Sequence, residues 1–322
     1  MRYNYIIIPA HIILNLFFME ISIAYNFKNR DFNRSDKEIR FVVNVGHLTA
    51  QANEYLYYGN LMISHLIWDV KSAQTIEARG ELDLSDRWMI YGSGTAAMHR
   101  RGFMTDYDYL APNLDWTDRS KTPDTRLDHY FAVDAGARYK YLETEHTSMT
   151  AGFGFRYVNF QMTTYGGDYI YSSCGYDDSP GCFRSIIGSF PSDLRGVTYS
   201  QELPAGFLEM GMSRTLGRIR FDLAVLAGLT SGSNDRDMHW ARNLLSKPSF
   251  GPTPYGAVQA NISTNISETL ELFASARVEK FFKGRGNVVA QDLNDGTFWP
   301  DTPEVGFSFS SVNLGVGLRV AF

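Results

Sequence analysis

Two acidic stretches, more than a hundred residues apart, hold the residue types from which a hydrolytic site could be built. Asp106 and Asp108 stand two residues apart, and Asp235, Asp237 and His239 alternate in the second stretch. Residues two apart on an extended strand point to the same face, so we expect each set to share one face. Two carboxylates on one wall and a carboxylate–histidine pair on another could activate a water molecule for hydrolysis. The alternative is that these acids mark solvated turns, because Gly, Ser and Asn stand close to them.

The composition fits a β protein with a large aromatic surface. The 322 residues include 19 Tyr and 22 Phe, yet the mean hydropathy is only −0.23. Many aromatic residues without long apolar runs fit a membrane β-barrel, and they also fit a soluble β-sandwich. The net charge of −5 argues against nucleic acid as a partner.

The N-terminus predicts export. Residues 1–24 have the features of a secretory signal peptide: Arg2 at the start, an interrupted apolar core over residues 6–18, and small residues at Ser22 and Ala24. The apolar stretch is too short and too interrupted for a membrane-spanning helix, and no other stretch suits one. Residues 25–322 would then be a single mature domain.

Alternation of apolar and polar residues predicts the fold. Residues 149–157, 219–229 and 270–279 each place apolar side chains on one face and polar or small ones on the other. Residues 312–322 alternate in the same way and end on a terminal Phe, as the last strand of bacterial outer-membrane barrels does. With the export signal, this pattern predicts an all-β fold, a ten-stranded antiparallel transmembrane β-barrel with long extracellular loops. An edge strand of a sandwich is the alternative for the C-terminal segment.

The predicted connections are short at one end of the barrel and long at the other. We expect short turns near residues 85–86, 143–145, 216–217 and 265–267. We expect outer loops near 58–61, 100–125, 170–192, 232–250 and 284–306. Both acidic stretches lie where a strand enters an outer loop, which predicts a site at the extracellular end. Glu54 is predicted to point into the barrel, near the loop end of the first strand.

At these residues the chain resembles the omptins, outer-membrane endoproteases of Gram-negative bacteria. Beside the acidic stretches, the resemblance is densest at residues 116–120, 123–125, 166–172 and 187–191. It implies that Asp106 and Asp108 form a catalytic pair and that Asp237 and His239 form a second. Glu54 and Asp235 match acids that select a basic residue before the cleaved bond. Met104 matches a residue lining that pocket, and Asp118 an acid near the subsite after the bond.

The resemblance implies cleavage of peptides and proteins at basic residues, preferentially between two of them, by an activated water. His239 would be the general base, Asp237 would hold it, and Asp106 and Asp108 would share a proton. Neither a metal nor a cofactor is expected, since the sequence has no cluster of His and Cys. Taken singly, Glu54 also fits a solvated acid, and Asp235 and Asp118 fit turn residues. Met104 also fits wall packing.

The resemblance breaks at the positions that bind lipopolysaccharide in the family, which fall here on Phe155, Tyr157, Asn159 and Glu202. We therefore expect the usual lipopolysaccharide site to be absent or rebuilt, although lipid of the outer membrane remains an expected partner. Cys174 and Cys182 are the only cysteines, and export predicts a disulfide between them. Two free thiols are the alternative.

Two other function classes fit the same scaffold. A barrel without proteolytic activity would act as an adhesin or a porin, since a fold does not fix a function. A lipid-modifying barrel enzyme would place its site toward the membrane interface. The acids and the histidine at the loop end favour a peptide substrate outside the outer membrane.

Overall fold

The computed structural model describes residues 38–98, 100–111, 115–173, 181–299 and 304–322. The predicted signal peptide lies outside the described residues. Within them the chain forms one short 3-10 helix, Trp240–Arg242, and the following strand segments: β1 (Ile39–Tyr58), β2 (Leu61–Asp83), β3 (Trp88–Ala97), β4 (Arg100–Asp108), β5 (Asp118–Glu143), β6 (Thr147–Tyr171), β7 (Ile186–Leu216), β8 (Ile219–Thr230), β9 (Asn234–His239), β10 (Leu244–Phe250), β11 (Pro254–Asn265), β12 (Leu270–Asp292), β13 (Phe298–Trp299) and β14 (Val305–Ala321).

These segments combine into ten antiparallel strands that close into a ring. β3 with β4, β8 with β9 and β10 with β11 each make one interrupted barrel strand, and β13 only forms a short hairpin with β12. β14 pairs with β1 and β12, so the last strand joins the first. β7 pairs with β8 near the short turns and with β9 near the opposite end. The predicted ten-stranded antiparallel barrel is confirmed.

A band of apolar side chains surrounds the half of the barrel nearest the short turns. Its exposed members include Phe41, Val45, Phe153, Leu208, Val225, Leu272 and Val316. On β1 the band ends at Val45, and the next outward positions hold His47, Thr49 and Gln51. An outward apolar band of this kind is typical of transmembrane barrels. The strands therefore continue well beyond the band. Among the described residues, no helix is long and apolar enough to cross a membrane.

The two ends of the barrel differ as predicted. The short turns fall between segments at 84–87, 144–146, 217–218 and 266–269. Ile39 and Phe322 pair through backbone hydrogen bonds at this end. The outer connections are shorter than the sequence suggested, because β4, β9 and β10 occupy much of the polar stretches. Paired strands satisfy their backbone groups with each other, so polar side chains do not prevent strand formation outside the membrane.

Two levels fill the inside of the barrel. A buried aromatic layer crosses the middle, where the ring centroids of Phe160 and Phe309 are 5.3 Å apart and those of Trp68 and Tyr199 are 5.2 Å apart. Toward the short turns lies a polar cavity of about 810 Å³. Its buried ion pairs include Arg156 with Glu279 at 2.8 Å. The acidic residues predicted to form the site lie on the other side of the aromatic layer.

Candidate active site at the barrel rim

The first wall of the site is the upper end of β4. Asp106 lies opposite Ser120 of β5, and Asp108 lies opposite Asp118. Ser64 of β2 donates a hydrogen bond from its hydroxyl to Oδ1 of Asp106 at 3.2 Å. The alternation predicted from sequence is therefore present, since both carboxylates share the inward face. The apolar band ends far below this level, so the site lies outside the membrane-spanning part of the strands.

The second wall is β9, which carries Asp237 and His239 on one face. Nε2 of His239 lies 2.6 Å from Oδ2 of the buried Asp237. Nη2 of Arg242, in the 3-10 helix that follows β9, lies 2.5 Å from Nδ1 of the same ring. A guanidinium only donates hydrogen bonds, so Nδ1 must accept and Nε2 must carry the proton directed at Asp237. The two walls thus present the predicted pairs, and the contact with Arg242 favours the tautomer that carries its proton on Nε2.

The electrostatics link the two walls into one cleft. Burial raises the pKa of Asp106, and the carboxylates of Asp108 and Asp237 raise it further. Burial also raises the pKa of Asp108, and a hydrogen bond from Ser64 and the charge of Arg242 oppose that rise. Close carboxylates resist double ionisation, so this pair favours retaining one proton. Sequence reasoning missed Arg242, although an arginine three residues after the histidine was a signal that could have found it.

The acidic pocket is defined by Glu54 of β1 and Asp235 of β9, which are both buried and lie within electrostatic reach of each other and of Asp237. Burial raises the pKa of Glu54, and the carboxylates of Asp237 and Asp235 add to this effect. Burial raises the pKa of Asp235 to about 8, although hydrogen bonds from Tyr199 and Gln201 oppose the rise. The Tyr199 hydroxyl donates to Oδ2 of Asp235 at 2.5 Å, and it accepts a bond from the Gln201 amide at 2.6 Å.

Three carboxylate oxygens in this region are buried and have no hydrogen-bond partner among the described residues: Oε2 of Glu54, Oδ1 of Asp235 and Oδ1 of Asp237. A buried carboxylate oxygen without a partner is costly, and it commonly marks a place that a ligand completes. Three such acceptors on acids that interact electrostatically suit a cation with several donors. A guanidinium or ammonium group has this chemistry.

Met104 and Asp118, the other two residues that the resemblance predicts to bind substrate, have different surroundings. Met104 is buried and belongs to the apolar core below the site, on the inward face of β4. Asp118 accepts the backbone N–H of Ser172 at 2.6 Å and the hydroxyl of Thr117 at 3.1 Å. One oxygen of Asp118 therefore anchors the end of β6 beside the site, and the other holds the residue that precedes β5. A contact of either residue with substrate stays a prediction.

The remaining sequence predictions concern residues away from the cleft. Cys174 lies outside the described residues, so its predicted disulfide with Cys182 stays a prediction. In the described ranges no group of three or more His, Cys, Asp or Glu side chains is arranged to hold a metal ion.

The positions that match the family's lipopolysaccharide site carry no cationic side chain here. Phe155 is exposed on the wall, and Asn159 lies opposite Glu202. Asn159 donates to the Tyr157 hydroxyl at 3.4 Å, so these polar groups bond to each other.

Comparison with known proteins agrees with this geometry. The family model described as "Omptin family" matches residues 35–322. The chain belongs to the omptin family. It is 24% identical to the plasminogen activator of Yersinia pestis over 270 residues, which cover 82% of this chain and 83% of the relative. It is 22% identical to outer membrane protease OmpP of Escherichia coli K12 over 308 residues, which cover 92% and 95% of the two chains.

A solved structure shows the same fold as this omptin. The crystal structure of outer membrane protease OmpT from Escherichia coli superposes with a TM-score of 0.82 at 21% identity. The match covers 90% of this chain and 99% of that chain.

Proposed function

We propose that this omptin is an outer-membrane endopeptidase that cleaves peptide chains after a basic residue, most readily between two basic residues. The observation that carries the proposal is the set of three buried, unpartnered carboxylate oxygens on Glu54, Asp235 and Asp237. Family membership supports the proteolytic activity. Two relatives of this chain are named outer membrane protease OmpP and Protease 7. An arginine or lysine side chain entering the pocket would supply the missing donors.

The proposed reaction is direct attack of water on the peptide carbonyl. His239 is the general base, and it takes the water proton through Nδ1 because Nε2 donates to Asp237. The Asp237 carboxylate then stabilises the imidazolium, which returns the proton to the leaving amine. General acid–base catalysis of this kind contributes about 10²–10⁴-fold. Arg242 must leave Nδ1 before the water can approach it.

Asp106 and Asp108 hold the water and the carbonyl oxygen in this mechanism. Their raised pKa values favour a shared proton, which can be donated to the oxygen as negative charge develops on it. Neither a metal ion nor a covalent intermediate is required. The products are a carboxylate that ends on the basic residue and a free amine.

The proposed site faces the outside of the cell. It lies at the end of the barrel opposite the short turns and the C-terminal Phe322, and the signal-like N-terminus favours export. Substrates would therefore be extracellular peptides and proteins. Lipopolysaccharide is kept as a candidate activator only, because Asn159 and Glu202 stand where a cationic binding site would be needed.

The test is incubation of the refolded barrel with a peptide that contains a single Arg-Arg bond, with and without lipopolysaccharide. Mass spectrometry should find one cut, between the two arginines, and replacement of the first arginine by leucine should slow it. Glu54→Gln and Asp235→Asn should each lower the Arg-over-Leu ratio of kcat/KM about 10–100-fold, because each removes a charged hydrogen-bond partner. No cleavage under either condition would favour the adhesin alternative.

The porin alternative fits the interior poorly. The side chains of Trp68, Phe160, Phe281, Phe307 and Phe309 are fully or almost fully buried at mid-height. A small barrel filled in this way has little room for an open channel.

A further inference from the structure

A strip of three aromatic rings lies on the hairpin that β6 and β7 form above the membrane band. The ring centroids of Tyr169 and Tyr171 are 4.7 Å apart, and those of Tyr169 and Phe190 are 4.8 Å apart. All three side chains are only partly buried. The mechanism above makes no use of this strip.

A pair of glycines turns the strip toward the site. Met162 faces the barrel core, so simple alternation along β6 would turn Asp168 and Ile170 inward. Gly166 and Gly167 have φ angles of +57° and +114°, and the pairing of β6 with β7 is irregular at this point. The irregularity reverses the phase of the strand, so that Tyr169 lies opposite the inward, buried Ser120 of β5.

The glycines are required by space as well as by backbone conformation. A Cβ atom on Gly167 would lie 2.5 Å from the carbonyl oxygen of Lys121, and one on Gly166 would lie 2.9 Å from Cα of Ser192. The backbone at these positions approaches its neighbours too closely for any larger residue. The sequence therefore fixes the direction of the two tyrosines.

The strand register places the strip on one side of the aspartate pair and the acidic pocket on the other. Residues that pair across five neighbouring strands form a row, in the order Glu54, Leu66, Asp106, Ser120 and Tyr169. Glu54 and Tyr169 are each two strands from Asp106, in opposite directions. At about 4.8 Å per strand, each lies roughly 10 Å from it.

The next residues along these strands also bring the strip to the border of the cleft. Asp108 lies opposite Asp118, and Tyr171 follows Ile170, which pairs with Arg119, the neighbour of Asp118 on β5. Burial raises the pKa of Tyr171 to about 12, and the charges of Asp106 and Asp108 contribute. The hydroxyl of Tyr171 is thus within electrostatic reach of the aspartate pair.

We propose that Tyr169, Tyr171 and Phe190 form a substrate subsite for an apolar side chain on the carboxyl side of the cleaved bond. This inference rests on the proposed function, in which Glu54 binds the basic residue before that bond. An extended peptide advances about 3.3 Å per residue, so a distance of roughly 10 Å corresponds to the second or third residue after the bond. Three adjoining rings offer a broad apolar surface, which suits a large aliphatic or aromatic side chain.

The test is a peptide series with Arg fixed before the bond and with Phe, Leu, Ala, Lys or Glu at the second or the third residue after it. The wild-type barrel should cleave the Phe peptide with a kcat/KM about tenfold above the Ala peptide at one of these positions. Tyr169→Ala should bring this ratio close to one. The Arg-over-Leu ratio before the bond should not change.

Ile170→Ala is the matched control, because it shortens the neighbouring side chain on the opposite face of the same strand. It should keep the Phe-over-Ala ratio of the wild type. Phe190→Ala, at the other end of the strip, should also lower the Phe-over-Ala ratio. It replaces Tyr169→Ala as the test variant if Tyr169→Ala does not fold.

A wild-type barrel that cleaves the peptides without preferring Phe or Leu, or that prefers Lys, overturns the subsite alone. A barrel that cleaves none of them overturns the proposed function and the subsite together.

Discussion

At the scale of single residues, the proposed chemistry depends on buried carboxylates whose protons are held more tightly than usual. Asp235 is the clearest case, because burial raises its pKa to about 8 while one of its oxygens lacks a partner. An entering cation would favour the ionised form, so binding of a basic residue should release a proton. The selectivity of the pocket should therefore depend on pH.

We predict that the Arg-over-Leu ratio of kcat/KM rises from pH 6 to about pH 8 and then levels off. The sign follows from the raised pKa: below about pH 8 the empty pocket holds a protonated, neutral Asp235, and above it the acid is charged. Paired peptides assayed across this range measure the ratio. Asp235→Asn should flatten the curve, and an equally steep curve in that variant would contradict the assignment.

Arg242 should set the acidic limb of the activity profile. Its charge opposes the burial that raises the pKa of Asp108, so its removal should raise that pKa further. Arg242→Ala should move the acidic limb of kcat/KM to higher pH, and the shift should be modest because Arg242 is exposed to solvent. Arg242→Lys keeps the charge and should keep the limb. Superimposable profiles for wild type and Arg242→Ala would show that the guanidinium does not act on the pair.

At the scale of strands, the sequence was most informative where side chains alternate regularly. The short turns and the ten strands were predicted correctly, because lipid on one side and a filled lumen on the other impose a period of two. The outer loops were predicted too long, since β9 and β10 consist largely of polar residues outside the membrane. Tyr199 and Gln201 were missed because their contacts with Asp235 follow from long-range pairing of β7 with β9, which one sequence does not reveal.

On β6, too, the sequence pattern alone gives the wrong direction for the side chains, here after Gly166 and Gly167. Alternation alone would direct Ile170 inward, and the irregular, positive-φ backbone at Gly166 and Gly167 reverses this. We predict that Gly167→Ala removes the Phe-over-Ala preference, because the φ of +114° and the contact with Lys121 both oppose a Cβ atom. Such strain costs about 1–3 kcal/mol. Peptide kinetics measure the effect.

Gly206→Ala is a suitable control for this substitution, since a Cβ atom there would meet no neighbour within 4 Å. It should leave both the kinetics and the thermal stability of the barrel unchanged. A Gly167→Ala barrel with the kinetics of the wild type would show that the glycine pair does not direct the tyrosines.

At the scale of the whole molecule, the barrel separates a site at the rim from a polar cavity of about 810 Å³ near the short turns. The aromatic layer between them should block the passage of ions. We predict that the purified barrel shows no steady conductance in a planar bilayer under conditions in which a porin conducts. A stable ohmic current would contradict the filled interior and revive the porin alternative.

The most direct test of the proposed function is the activity of His239→Ala on a peptide with one Arg-Arg bond. Removal of the general base should lower kcat about 10²–10⁴-fold while the barrel stays folded. His47→Ala is the matched control, because His47 is exposed on the outer wall, and it should keep the activity of the wild type. A folded His239→Ala barrel that cleaves the peptide at the wild-type rate would contradict the proposal that this histidine activates the water.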